Sequence, residues 1–423
     1  MSTIELYTGK RTLSLDVSEE NLLWSTQETA HPAIPDEAAL IARALDAPIG
    51  ARPLSEVPLG AKVVILVDDC TRPTPAGRLL PHIVARLEPR TRDITFMTAP
   101  GTHRPLTDAE LDIKIGAELR KRYPVVNVDY READAYRYIG DTDMGTPLHI
   151  HKAYLDADFH IAVGNIAPHN VVGWSGGAKI IQPGISGELT TSTTHIAGSH
   201  FPVMEIYGNI DCRMRREIDD IGRRVGLDFI VNTVLDADRH ILGLFCGHYL
   251  QAHRAGVEFA MRALCPEIPA LADIVVVSAY PCNMDYWQGF KPLGFSAKGV
   301  KKGGTIVYIL DAMEGLCGNS PAHKPMLYKY LGADEATIRR DIAAGQVEDL
   351  VGVCNPLCHF QVLDHVQNVI CVSDSLTAED CDLLRFERAD SLSAAMDRAF
   401  ETQGRGAKVG VICCGGETLV RLA

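Results

Sequence analysis

The sequence predicts an α/β protein made of two doubly wound α/β domains, with a site in the cleft between them. Three observations carry that expectation. Short β-branched runs alternate with helical stretches along most of the 423 residues, the rhythm of mainly parallel sheets. Several runs are apolar throughout and do not alternate, as strands covered on both faces do. Polar, glycine-rich loops follow those runs, and open α/β sheets bind ligands in the loops beyond their strand ends.

The elements follow in order. A helix is expected over 37–45, then buried strands over 63–67 (VVILV), 94–98 (ITFMT) and 159–163 (FHIAV). Thr107 and Glu110 have capping-box spacing and open a helix running toward Arg122. Ser186 is expected to cap a short helix with His195 near its end, and a long helix is expected over 248–264. Residues 265–273 (CPEIPALAD), with two prolines between a helix and a strand, are the linker. The domains are therefore expected at 1–266 and 272–423, with the final segment able to pack back on the first. The second repeats the rhythm, with strands at 274–278, 305–310, 369–372 and 409–413, and helices at 335–344 and 391–401.

Composition excludes several classes of function. Lys+Arg number 41 against 54 Asp+Glu, a net charge of −13, which disfavours general binding to nucleic acid or anionic membrane. An anionic ligand then needs a local basic site. The longest apolar runs are strand-sized, far below the roughly 20 residues of a membrane span. Residues 1–11 carry no apolar secretory segment, and twelve irregularly spaced cysteines in a chain this large fit a reducing cytoplasm.

Four loops carry unusual residues. Asp68-Asp69-Cys70-Thr71-Arg72-Pro73 follows the first strand, where Arg72 is able to grip a carboxylate or phosphate, or else to pair within a capping turn. Gly101-Thr102-His103-Arg104-Pro105 puts a histidine beyond the second strand, where a near-neutral pKa suits proton transfer. The third strand leads into residues 164–184, holding His169, Ser175, Lys179 and five glycines that admit close backbone approach to a ligand. As a phosphate-binding P-loop this stretch fails, since Ala178 precedes Lys179 and Ile180 stands where Ser or Thr is needed. Gly173-Trp-Ser175-Gly-Gly177 fits G-x-S-x-G and keeps a serine hydrolase open, although Ser175 lies about ten residues beyond the strand. His195 is a metal-ligand candidate. In the second domain Pro281 to Lys291 again follows a strand, and Gln288 and Lys291, three apart on a helix, share a face. His149-Ile-His151 and the group Cys354, Cys358 and His359 are weaker metal candidates.

Together D-D-x-T-R-P at 68–73, G-T-H-R-P at 101–105, P-H at 168–169, S-G-G-x-K at 175–179, His195 and P-x-x-x-D-x-x-Q-x-x-K at 281–291 resemble the nickel-pincer lactate racemase family, in its order and spacing. The resemblance implies a cytoplasmic isomerase, a racemase or C2 epimerase of a 2-hydroxy acid working by hydride transfer. It implies a nickel-pincer nucleotide (pyridinium-3-thioamide-5-thiocarboxylic acid mononucleotide) attached covalently at Lys179, with His195 completing the nickel coordination, and dependence on proteins that make this cofactor. His103 and His169 correspond to the acid/base pair, and Arg72, Gln288, Lys291 and Trp287 to substrate contacts. Asp69 and Thr71 fall on the cofactor side. Trp287 stands where lactate-specific members tend to have tyrosine, and 354–361 lacks their tryptophan-containing pattern. The resemblance therefore leaves the substrate open among lactate, malate-like, aromatic and sugar acids. A serine hydrolase using Ser175 and a non-catalytic protein binding an anionic metabolite are the alternatives.

Overall fold

The computed structural model describes residues 1–26, 36–236 and 238–423. The first sheet has the order Ile241–Gly247, Phe229–Leu235, Phe159–Asn165, Val63–Asp68, Ile94–Ala99, Val125–Val126, parallel except for the pairing of the first two. Val63–Asp68 is buried at every position, which is why its sequence shows no polar alternation. The chain leaves it toward Ile94–Ala99 on one side and later returns to Phe159–Asn165 on the other. The strand order thus reverses between Val63–Asp68 and Phe159–Asn165, and in such sheets a crevice opens at the carboxyl ends of the two strands.

The second sheet is wholly parallel: Glu387–Ala389, Asn368–Val372, Val300–Ile309, Ala272–Ser278, Val409–Ile412, Leu22–Ser25. Its order reverses next to Ala272–Ser278, so the loop from 279 onward opens at the corresponding place. Both sheets match the doubly wound expectation.

Several details differ from it. The N-terminal hairpin Ser2–Tyr7/Thr12–Val17 packs Ile4, Leu6, Leu15 and Val17 against Ile274, Val276 and Val409, and Leu22–Ser25 is the edge strand beside Val409–Ile412. Residues 2–25, expected within 1–266, therefore sit with the second sheet. Strand pairing across the whole chain is invisible to local pattern. The tail pairs Arg421–Leu422 with Glu267–Ile268 inside the expected linker, and Leu419 lies against Gly208. The capping box forms, but its helix stops at Ile115 because Gly116 takes φ 92°, and a separate helix Ala117–Arg122 follows. Ser186 does not cap the next helix: its hydroxyl donates to Ile181 O, and Glu188–Ser199 starts after Gly187. The long helix begins at Gln251, not at residue 248. No helix among the described residues is long and apolar enough to cross a membrane.

Candidate active site

Loops from both sheets enclose a cleft of about 1190 Å³ that opens to solvent. Asp69, Arg72, His103, His169, Lys179, His195, Trp287, Gln288 and Lys291 all line it. Thr71 does not line it. Its hydroxyl donates to Asp69 Oδ1 (2.7 Å) and accepts from Arg72 Nη1 (3.0 Å), so it braces both from behind.

His103 and Asp69 form a dyad, with Nδ1 2.5 Å from Asp69 Oδ2. Burial opposes ionisation of Asp69, yet His103, Arg72 and Thr71 together hold its carboxyl well below the usual range. The carboxylate therefore accepts the Nδ1 proton, and Nε2 lies 3.4 Å from Gln288 Nε2. His169 has the other arrangement. Its Nδ1 accepts from Val171 N–H (3.0 Å), so the neutral ring carries its proton on Nε2. Burial and the cations Lys179, Lys291 and Arg72 push His169 well below the ordinary histidine pKa.

His195 sits near the end of the Glu188–Ser199 helix, where Nδ1–H donates to Thr191 O (2.8 Å). That bond leaves Nε2 as the free lone pair, the usual state of a metal-ligating histidine. Burial lowers its pKa to about 4, so it is neutral at pH 7. Lys179 lies on the short turn Gly177–Ile180. Its amine has no hydrogen bond or ion pair among the described residues, and burial, then Arg72 and Lys291, lower its pKa well below 10.5. The shift favours the uncharged, nucleophilic form of the amine. Gly176, at φ 79°, lets this loop pack closely on the sheet: a Cβ there would meet Ile166 at 2.8 Å and Asn232 Oδ1 at 2.9 Å.

The helix Tyr286–Ser296, capped by Asp285 accepting from Gln288 N–H (2.9 Å), aims Gln288 and Lys291 into the same space. Lys291 and Arg72 make no ion pair among the described residues. Lys291 Nζ has only Cys282 Sγ, at 3.7 Å. Arg72 and Lys291, both lining the cleft, are groups able to bind a carboxylate.

Three expectations fail. The Ser175 hydroxyl donates to Asn165 O (2.8 Å) and accepts from Ala167 N–H (2.9 Å), so it is a buried brace between loop strands with no histidine on its oxygen. Cys354 and Cys358 line the cleft, but His359 turns into the core, bonded to Tyr286 OH and Leu384 O, so the zinc group does not form. His149 and His151 pack on Tyr138 and Tyr136. Among the described residues no three His, Cys, Asp or Glu side chains converge to hold a metal ion.

The cleft also contains residues the motifs did not single out: Asn165, Asn232 and Asn355. Asn232 accepts from Gly177 N–H (2.8 Å), and its signal was a lone polar residue in the apolar run FIVNTVL. Behind the site Lys114 Nζ donates to Asp68 Oδ1 and Arg72 O, both at 2.8 Å, a contact that no motif carries.

Two doubly wound sheets, a cleft at both switch points, a histidine–carboxylate dyad and unpaired cations define an α/β protein equipped to exchange protons with a small anion. The comparisons make the class specific. Residues 8–206 match the lactate racemase N-terminal domain and residues 268–420 the lactate racemase C-terminal domain. Lactate racemase of Lactiplantibacillus plantarum is 28% identical over 431 residues and that of Thermoanaerobacterium thermosaccharolyticum 27% over 432, each alignment covering all of both chains. The structure of the lactate racemase apoprotein from Thermoanaerobacterium thermosaccharolyticum superimposes with a TM-score of 0.89, covering 99% of this chain and 100% of that one at 27% identity. A protein from Thermotoga maritima, 17% identical, shares the fold with a TM-score of 0.69 over 88% of this chain and 96% of its own. The chain belongs to the lactate racemase family, and it is an isomerase of the racemase type.

Proposed function

We propose that this racemase inverts C2 of a 2-hydroxy acid, not necessarily lactate, by reversible hydride transfer. The observation that carries it is the pairing, in one cleft, of an unpartnered Lys179 amine with a His195 whose Nε2 is free. These fit a nickel-pincer nucleotide: Lys179 would hold it covalently and His195 would complete the nickel coordination. When bound, that group supplies the hydride acceptor.

The chain's own residues do the rest. Arg72 and Lys291 hold the substrate carboxylate, and Gln288 orients the C2 substituents. His103 Nε2 takes the hydroxyl proton as the C2 hydrogen leaves with its electron pair, giving a planar 2-oxo acid. Asp69 stabilises the imidazolium so formed. Once the hydride has returned to the opposite face, His169 gives oxygen its Nε2 proton as an imidazolium, a state in which Nδ1 has taken a proton and released Val171 N–H, and it ends neutral with a free Nε2 lone pair, ready to act as the base for the other enantiomer. A bound carboxylate neutralises two of the cations that depress His169, so this histidine becomes more basic when substrate is present.

The test uses protein made in a host that synthesises the cofactor. Nickel content and the mass of the Lys179 peptide are measured, and C2-deuterated substrate is followed through inversion. Nickel, a modified Lys179 and deuterium retained in the product are expected. An unmodified lysine without nickel would favour the binding-protein alternative, and loss of deuterium to solvent would replace hydride transfer with a carbanion route. His103→Asn and His169→Asn should each lower kcat by 10²-fold or more, about the contribution of a positioned acid or base.

A further inference from the structure

We infer that the substrate carries a second anionic group, a carboxylate or a phosphate ester, at the end of its chain away from C1, and that Arg239 binds it; this rests on the racemase reading above. A second cavity, of about 810 Å³ and open to solvent, adjoins the cleft. The two share Arg72, His169, Gln288 and Lys291, whereas Lys179 and His195 line the cleft but not this cavity. The added space therefore continues from the groups assigned to the substrate and not from those assigned to the cofactor. A substrate held at C1 by Arg72 and Lys291 has its carbon chain free to enter it. Among the described residues, Arg239 is the one lysine or arginine that this cavity adds to that pair, and Glu417 is its one carboxylate. With Arg72 and Lys291 taken by the first carboxylate, Arg239 is left for a second anion. A lactate methyl makes no use of such a group, whereas an oxyanion matches its planar fork.

The fold puts Arg239 at this place. Phe229–Leu235 runs parallel to Phe159–Asn165 with Thr233 opposite Asn165, so both strands end at the same edge of the sheet. Asn165 lines the cavity, and Arg239 lies in the turn that leads from Leu235 to Ile241. Three bonds tie that turn: Arg239 N–H to Asp236 O (3.0 Å), Asp236 N–H to His240 O (3.1 Å) and His240 N–H to Asp236 Oδ1 (2.8 Å). Arg78 Nη2 steadies it further by donating to Arg239 O (3.3 Å). A backbone held in this way presents the side chain at little cost in order on binding. Arg239 itself takes φ 67°, a left-handed conformation that glycine or asparagine adopts with less strain. The turn thus gives no reason of its own for an arginine. The residue is exposed, and its guanidinium makes no hydrogen bond or ion pair among the described residues.

Cofactor-loaded enzyme is assayed by chiral chromatography on malate, 2-hydroxyglutarate and 3-phosphoglycerate beside lactate and 2-hydroxybutyrate. At least one of the first three should exceed both monocarboxylates about tenfold or more in kcat/KM, the scale of one charge-assisted hydrogen bond, and the best of them tells carboxylate from phosphate. Arg239→Gln and Arg239→Gly should each cut that ratio about tenfold, chiefly through the KM of the doubly anionic acid. Glycine suits the positive φ, so a loss in Arg239→Gly is not a failure of the turn to form. Because Arg239 is exposed, the advantage should also shrink as salt is added. Without turnover, succinate should raise the melting temperature more than butyrate, a difference that both variants lose. A monocarboxylate turning over as fast as every acid with a second anion overturns the inference and leaves the racemase reading standing. A full ratio in both variants overturns the role of Arg239. No turnover of any 2-hydroxy acid by nickel-loaded enzyme overturns the racemase reading itself.

Discussion

Lys114 lies outside the cleft lining yet shapes the loop that holds Arg72. It is a buried lysine in the last turn of the helix Asp108–Ile115, bonded to Asp68 Oδ1, Arg72 O and Thr74 O. Thr74 donates to the other oxygen of Asp68. Burial raises the pKa of Asp68, with Lys114 and Thr74 opposing that rise. Lys114→Met should therefore leave an uncompensated carboxyl and release the loop carrying Asp69 and Arg72. A shift of about 1 Å in that loop would cost on the order of 10²-fold in kcat/KM. The loss should appear mainly as a raised KM, because Arg72 grips the carboxylate, and Lys114→Arg should recover part of it. Steady-state kinetics on the three proteins check this. An unchanged KM in Lys114→Met would mean that the helix merely supports the fold.

Legibility differed from element to element, and the reasons are physical. Val63–Asp68 and Ala272–Ser278 were legible because continuous burial leaves an uninterrupted apolar run. The loops after them were legible because chemistry-bearing residues gather where strands end. The break at Gly116 was not, since the helical pattern resumes at once on its far side. Nor was Lys114, whose contacts with Asp68 and Arg72 arise from tertiary approach and not from spacing. The glycine loop depends on a further element in the same hidden way. Arg215, fully buried in the helix Arg213–Val225, donates to Trp174 O (3.2 Å) and Gly176 O (3.3 Å) and pairs with Asp219 (2.6 Å), which also takes Arg254. Asp219→Ala should strand that guanidinium. Removing one partner of a buried pair costs about 3–5 kcal/mol, so the denaturation midpoint should fall accordingly. A loss under about 1 kcal/mol would show that Arg254 and the carbonyls suffice.

Across the whole molecule, buried neutral histidines set an acid limit. His151, His169, His195, His253 and His359 all have pKa values below 6.5, chiefly through burial, with His195 at about 4 and His359 at about 3. His359 shows why: its Nδ1 accepts from the Tyr286 hydroxyl (2.6 Å) and its Nε2 donates to Leu384 O (3.0 Å), so a second proton would break the tyrosine bond inside the core. In the unfolded chain these rings take up protons as pH falls through about 6.5, whereas in the folded chain His195 and His359 stay neutral to about 4 and 3. The unfolded state thus binds more protons in that window, and stability rises with pH there. Each such histidine adds a slope of about 1.4 kcal/mol per pH unit below 6.5. The melting temperature should fall steeply between pH 6.5 and 4. His359→Gln, less stable at every pH, should show a shallower fall. Calorimetric scans at pH 7.5, 6.5, 5.5 and 4.5 measure both slopes, and a melting temperature that held or rose on acidification to pH 5 would contradict the neutral buried state of these histidines.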